Sequence, residues 1–133
     1  MYIKILENDD SKIFIKKIDI LNENPFVSEW LDEKNVKLYL LYDDNVLKSF
    51  VLLNRLNRDP LNKHTKPYYL NYIYTFEEYR KQNFAYKLLS ELKKTEEITA
   101  FCTDDIAHNL FKKNGYILND YDELYSFPIY RYP

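Results

Sequence analysis

Three observations predict an α+β fold on a mixed, mostly antiparallel sheet. Apolar residues repeat at period two in some runs and at helical spacing in others, so the chain carries strands and helices together. Asp43, Asp44 and Asn45 separate two strand-like runs by the length of a tight hairpin. Further on, a strand pattern from Tyr68, an amphipathic helix and a strand ending at Thr103 follow one another as a crossover unit, which implies a parallel pair with a right-handed connection. With 133 residues, 46% hydrophobic and 30% charged, the chain can bury a real core but is short for two ordinary domains. Residues 1–133 are therefore expected to form a single domain.

Tyr2 to Leu6 alternates as a short strand, and Ser11 to Leu21 reads as a helix opened by Ser11. Pro25 followed by FVSEWLDEK predicts a second helix with proline in its first turn, burying Phe26, Trp30 and Leu31. Val36 to Tyr42 and Val46 to Leu56 are the hairpin strands, and the proline-bearing, apolar-poor stretch Asn57 to Pro67 predicts an exposed loop. Phe84, Ala85, Leu88, Leu89 and Leu92 then recur at helical spacing, Ile98 to Thr103 reads as a strand, and Asp104 or Asp105 is placed to cap another helix. Ile106, Ala107, Leu110 and Phe111 line that helix, Lys112 and Lys113 sit in its last turn, and Gly115 is placed to end it. YILND and ELYSFPIYRY supply two final strands, expected to pair antiparallel with Pro128 at an edge or bulge.

A net charge of −2 and a pI near 5.7 argue against a general nucleic-acid binder, which needs a basic surplus. The single cysteine, Cys102, cannot form an internal disulfide and reads as a small core residue. Two distant histidines, His64 and His108, and that one cysteine make no metal-ligand cluster, so no metal is expected. No run is long and apolar enough to cross a bilayer, and the opening MYIKILENDD lacks the apolar core of a signal peptide, so a cytoplasmic protein is expected. Tyrosine-rich edge strands near the C-terminus make either a monomer or a homodimer reasonable.

The stretch YYLNYIYTFEEYRKQNFAYKLLSELKK, Tyr68 to Lys94, carries the chemistry. A strand there delivers the chain into a turn at Arg80 to Ala85 that opens directly into an amphipathic helix. The first turn of a helix has unpaired N–H groups and the positive end of the macrodipole, so this arrangement suits a phosphate-bearing cofactor.

RKQNFA, Arg80 to Ala85, resembles the (Q/R)xxGx(G/A) acetyl-coenzyme A loop of the Gcn5-related N-acetyltransferases (GNAT family), and DDIAHNLFKKNGY, Asp104 to Tyr116, resembles the later family pattern NxxAxxLYxxxGF. The two stand about 20 residues apart with the expected strand between them. The resemblance covers Tyr68 to Tyr116; the first 67 residues fit in the order of their elements. It implies a layered α/β/α fold whose strands four and five run parallel and splay apart to admit coenzyme A. The cofactor-binding positions it implies are Arg80, Lys81, Gln82, Asn83, Phe84, Ala85 and Tyr86 in the loop, and Thr75, Phe76 and Glu77 near a strand bulge, with Asp104 and Phe111 across the slot. Arg80 and Lys81 would each add about 1.5–3 kcal/mol to phosphate binding if partly shielded from water.

Three positions depart from the family pattern. Asn83 replaces the loop glycine, at a place that needs positive φ; asparagine visits that region more readily than other residues with a Cβ. Asp104 replaces an asparagine. Phe111 replaces the tyrosine that often protonates the departing thiolate, and phenylalanine has no proton to give.

The implied activity is N-acetylation of a primary amine (small molecule, peptide or protein) by direct transfer from acetyl-coenzyme A in a ternary complex. Neutralising a lysine amine of pKa about 10.4 at pH 7 costs about 4.6 kcal/mol, against about 1.4 kcal/mol for an α-amine of pKa about 8. Glu77 and Tyr74 are the candidate bases, His108 and Tyr116 the candidate proton donors. The alternative is a degenerate module of the same fold that binds an acyl-coenzyme A or a protein partner without turnover.

Overall fold

The computed structural model describes residues 1–32, 35–55, 67–101, 105–121 and 128–131. Among them run strands β1 (Tyr2–Glu7), β2 (Val36–Asp43), β3 (Val46–Arg55), β4 (Pro67–Thr75), β5 (Glu97–Phe101), β6 (Ile117–Tyr121) and β7 (Pro128–Arg131), and helices α1 (Asn8–Ile15), α2 (Asp19–Asn22), α3 (Val27–Asp32), α4 (Phe84–Thr95) and α5 (Asp105–Lys113). The strands form a seven-stranded sheet in the order β1-β2-β3-β4-β5-β7-β6. Every neighbouring pair is antiparallel except β4 and β5, which run parallel with α4 as their crossover. No helix among the described residues is long and apolar enough to cross a membrane.

The β2–β3 hairpin closes at Asp44 and Asn45, with φ of 52° and 59°. Two consecutive left-handed residues twist the turn in the same sense as the strands, which is why Asp and Asn occupy it. Period-two alternation then sends β2 and β3 side chains to two cores. On one face Tyr39, Leu41, Val51, Leu53 and Leu70 pack under α4 and α5; on the other Leu38, Leu40, Phe50 and Leu52 pack with Ile15, Leu21 and Trp30 of the first three helices.

The N-terminal helices correct the sequence reading. Asn8, not Ser11, begins the first helix, and Ser11 lies buried inside it, donating to the Val36 carbonyl at 3.3 Å. The helix also breaks at Ile18, which turns extended (φ −100°, ψ 109°) to bury its side chain. Asn22 holds that break by donating from Nδ2 to the carbonyls of Ile15, Lys16 and Ile18 at 2.9–3.2 Å. Pro25 precedes α3 in a turn rather than lying in its first turn, and Asn24 Oδ1 accepts from the Phe26 N–H at 2.9 Å. Trp30 is buried as expected, but Phe26 is 55% exposed because this turn points it outward.

The second half follows its local signals. Gly115 (φ 84°) ends α5, with the Tyr116 N–H bonded to the Phe111 carbonyl and the Gly115 N–H to that of Lys112, the paired bonds of a Schellman motif. Pro128 opens β7, and this strand is inserted between β5 and β6 rather than lying at an edge. Its missing N–H is tolerated because the β5 ladder starts one residue later, at Ile129. The exposed loop expected at Asn57 to Pro67 falls outside the described residues up to position 66, as do the capping choice at Asp104, and Cys102 and His64.

Candidate active site

β4 and β5 pair only from Pro67 to Tyr69, opposite Glu97 to Thr99. β4 then continues to Thr75 paired with β3. The β-bulge lies at Asn71, which falls between Tyr72 opposite Leu52 and Leu70 opposite Leu53. It was expected near Thr75 to Glu77; those residues instead end the ladder, with Thr75 paired to Ser49 and a 3-10 turn over Glu77–Tyr79. The bulge sits just where β5 ceases to pair, and an amide bond from Asn71 Nδ2 to Asn54 Oδ1 braces it.

The end of β4 is fixed from below. Ser49, fully buried, donates to the Tyr74 carbonyl at 2.7 Å and bonds Thr75 Oγ1 at 3.0 Å. The Phe76 N–H reaches the Lys48 carbonyl at 3.1 Å, and the Lys48 ammonium lies 3.6 Å above the Tyr79 ring. These bonds tie the turn to β3 and set the direction in which the chain enters the loop.

Within the loop Lys81 and Asn83 both have φ of 65°. The left-handed state expected of Asn83 is therefore present, one residue before α4 begins, with ψ of 19°. Its carbonyl accepts the Lys87 N–H, but its side chain makes no capping bond. By helix geometry the N–H groups of Phe84, Ala85 and Tyr86 have no intrahelical acceptor, so the positive end of α4 is presented at this turn. Arg80 is anchored by donation from Nε to the Thr75 carbonyl at 3.0 Å, and its guanidinium covers the Tyr74 ring at 5.3 Å. Arg80 and Lys81 are both exposed, so any charge-assisted contact with phosphate is screened and is worth about 1 kcal/mol or less rather than the larger value for shielded groups.

Tyr74 is half-buried at the end of β4, and Glu77 is exposed in the 3-10 turn. Phe111 and Tyr116 are 2% and 3% exposed, in edge-to-face contact at 5.2 Å within the core. His108 lies on α5, and Asp104 falls outside the described residues. One anchor had no motif to reveal it. Asn114, 1% exposed, donates from Nδ2 to the Tyr86 carbonyl at 2.7 Å and to Ser90 Oγ at 3.1 Å, clamping the first turn of α4 to the end of α5. The Asn-Gly pair marked only a helix end.

A polar cavity of about 410 Å³ lies elsewhere, lined by Glu7, Asn8, Asn35, Lys37, Arg55, Tyr68, Thr95 and Glu96. It sits at the C-terminal end of α4, about 17 Å along the helix from the loop. Much of its charge is spoken for, with Lys37 Nζ 2.7 Å from Glu96 Oε1, which also accepts from Tyr39 Oη at 3.0 Å. Burial lowers the Lys37 pKa, but the Glu96 hydrogen bond and charge outweigh it and leave that ammonium above its ordinary range. Burial pushes the Tyr39 phenol up to about 12. This network staples the ends of β2 and α4, so the loop and not this cavity is the candidate site. Among the described residues, no group of three or more His, Cys, Asp or Glu is placed to hold a metal ion.

No family model and no curated protein sequence matches the chain. Solved structures do. The aminoglycoside N-acetyltransferase AAC(6')-Iy in complex with CoA superposes with a TM-score of 0.64 at 13% identity, over 92% of this chain and 97% of that one. NAA60 from Arabidopsis thaliana in complex with acetyl-CoA gives 0.60 at 14% identity, over 98% and 97%. A GNAT-family protein from Desulfovibrio desulfuricans gives 0.65 at 11% identity, over 98% of each chain. The chain has the α+β fold of the GNAT acetyltransferases.

Proposed function

We propose that this GNAT-fold protein is an N-acetyltransferase that moves an acetyl group from acetyl-coenzyme A to a primary amine by direct transfer. The observation that carries the reading is the left-handed Asn83 at the head of α4, turned as a glycine would be and leaving the helix end open on its own side. On this reading the backbone amides of Gln82 to Tyr86 hold the diphosphate, with Arg80 and Lys81 at the rim. Pairing between β4 and β5 stops at Tyr69, and on this reading the pantetheine arm runs beside Thr75, Phe76 and Glu77, where the Thr75 carbonyl and the Phe76 N–H are already taken within the chain. Bound acetyl-coenzyme A supplies an acyl group activated as a thioester.

The chain's own work is orientation and proton handling. Tyr74 and Glu77 flank the end of β4, where the Glu77 carboxylate takes the ammonium proton directly or through water and the Tyr74 phenol can serve as a relay, releasing its own proton as it accepts one. His108 and Tyr116 are the donors on the α5 side. A second reading, a binding module without turnover, draws its support from Phe111, which puts an apolar core ring where a phenol would supply a proton.

Thermal melts with coenzyme A, followed by thiol release from acetyl-coenzyme A across an amine panel, separate the two. A melting-temperature rise that saturates, with thiol release for some amine, is the expected result. Saturable binding with every amine unmodified favours the module; no shift at millimolar cofactor removes the acetyltransferase reading and leaves only a module that binds a protein partner.

A further inference from the structure

Tyr72, Tyr74 and Phe76 stand at alternate positions of β4 and its end, all half-buried, on the sheet face opposite α4. Their rings run on from one another, with centroids 6.0 Å apart for Tyr72 and Tyr74 and 5.4 Å for Tyr74 and Phe76. The fully buried ring of Phe50 backs all three at 5.7–6.1 Å, and Trp30 closes the far end 5.9 Å from Tyr72. This stretch of β4 lies beyond the last residue paired with β5. The other face of the same stretch is taken up by Phe84, Leu88 and Leu89 of α4, which cluster with Leu70 and Ile73. A second substrate meeting a thioester held between β4 and β5 must therefore approach along the aromatic face.

The charge at the mouth is two-sided. Glu77 and Glu78 are exposed at the C-terminal rim, while Arg80 lies over the middle ring, Tyr74. The carboxylates favour an approaching ammonium group, and the rings behind them offer an apolar wall with phenol oxygens as hydrogen-bond acceptors. A polycation with hydroxyls spread along its length would leave many of its polar groups facing aromatic carbon along this row of rings.

Resting on the acetyltransferase reading above, we propose that the acceptor is an amine carried one or two carbons from an aryl or bulky apolar group, with that group seated against Tyr72 and its neighbour Tyr74 in the row of rings. An arylalkylamine and a peptide with an aromatic first residue share this chemistry. Tyr72 is a specificity residue of this wall, touching the acceptor's ring and not its nitrogen. Burial and the neighbouring Tyr74 hold the Tyr72 phenol above its ordinary range, so it remains a neutral partner at physiological pH.

The test measures initial rates at saturating acetyl-coenzyme A for 2-phenylethylamine, a phenylalanyl dipeptide and kanamycin, with coenzyme A affinity titrated separately by calorimetry. Kcat/KM at least ten-fold higher for an aryl acceptor than for kanamycin is expected, and whichever of the amine and the dipeptide leads identifies the source. Tyr72→Ala should raise KM for that acceptor about ten-fold with kcat within two-fold and coenzyme A affinity unchanged, while Tyr72→Phe, which keeps the ring, restores KM. Tyr72→Leu, which keeps apolar bulk without the ring, should act in the same direction if Tyr72→Ala folds poorly. Kanamycin preferred, no aryl acceptor used despite bound coenzyme A, or KM unmoved in both ringless Tyr72 variants overturns the proposal and leaves the cofactor reading standing. Absent coenzyme A binding overturns both.

Discussion

Replacing Asn83 tests the loop most directly. Its φ of 65° lies in a region that costs an ordinary residue with a Cβ about 1–2 kcal/mol and asparagine less. Because the Asn83 side chain makes no capping bond, Asn83→Gly removes steric cost without removing a hydrogen bond. Glycine's greater freedom in the unfolded chain offsets part of that gain, so Asn83→Gly should be neutral or stabilising by a few tenths of a kcal/mol. Asn83→Ala keeps the Cβ and lacks asparagine's tolerance, so it should lose about 1 kcal/mol, or about 3–5 °C in melting temperature for a domain of this length. If the altered loop relaxes when empty and must return to the left-handed state to grip a diphosphate, the same 1 kcal/mol weakens coenzyme A binding about five-fold. Urea unfolding and calorimetric titration of both variants measure the two effects. Asn83→Ala as stable as the parent, together with Asn83→Gly less stable by 1 kcal/mol or more, would refute the strain account.

Lys81 shares the same φ, so Lys81→Gly should stabilise the fold by about 1 kcal/mol in urea unfolding while losing one rim charge. Asn114→Ala strips the clamp between α4 and α5 and leaves the Tyr86 carbonyl without that donor; a loss of about 2–3 kcal/mol in the same assay is expected, against under 0.5 kcal/mol for a solvent-facing control such as Lys113→Ala. Lys37→Met leaves the Glu96 carboxylate, 8% exposed, with Tyr39 as its remaining donor there, and should cost about 2–4 kcal/mol. Tyr39 binds its proton more tightly folded than unfolded, because its folded pKa is about 12 against an ordinary 10.0. Its contribution is thus complete below pH 10 and declines as pH rises toward 12, by roughly 2–3 kcal/mol in all, with Lys37 adding loss in the same direction above its ordinary 10.5. Unfolding free energies measured between pH 9 and 12 should fall in the parent and fall less steeply in Tyr39→Phe; parallel curves would contradict the assignment.

What could be read without coordinates was whatever local chemistry decides. Asp44-Asn45 specify a left-handed hairpin turn, Gly115 a helix stop, and the spacing of Phe84, Leu88, Leu89 and Leu92 a helix with one buried face, all within a few residues of one another. Asn83 belongs with them, since its backbone preference is its own. Ser11 misled because a hydroxyl caps a helix or satisfies a distant carbonyl equally well, and only the approach of β2 brought Val36 within 3.3 Å. Phe26 misled because an apolar side chain says that burial is favourable and not that a surface is available.

The place of the last strand in the sheet was likewise beyond the sequence. β7 enters between β5 and β6 through pairings of residues 7 to 14 positions apart with β6 and 28 to 32 apart with β5, and no local pattern encodes which edge accepts it. The bulge at Asn71 and the clamp from Asn114 to Tyr86 are decided the same way, by packing that exists only once the sheet has formed. The sequence by itself determined the kinds of elements, the stops at the β2–β3 turn and at Gly115, and the left-handed residue at the head of α4, because dihedral preference and hydrophobic period act over one or two turns. Tertiary structure alone decided which aromatic rings share a face and which amides hold the loop in place, because those depend on contacts between residues far apart in the chain.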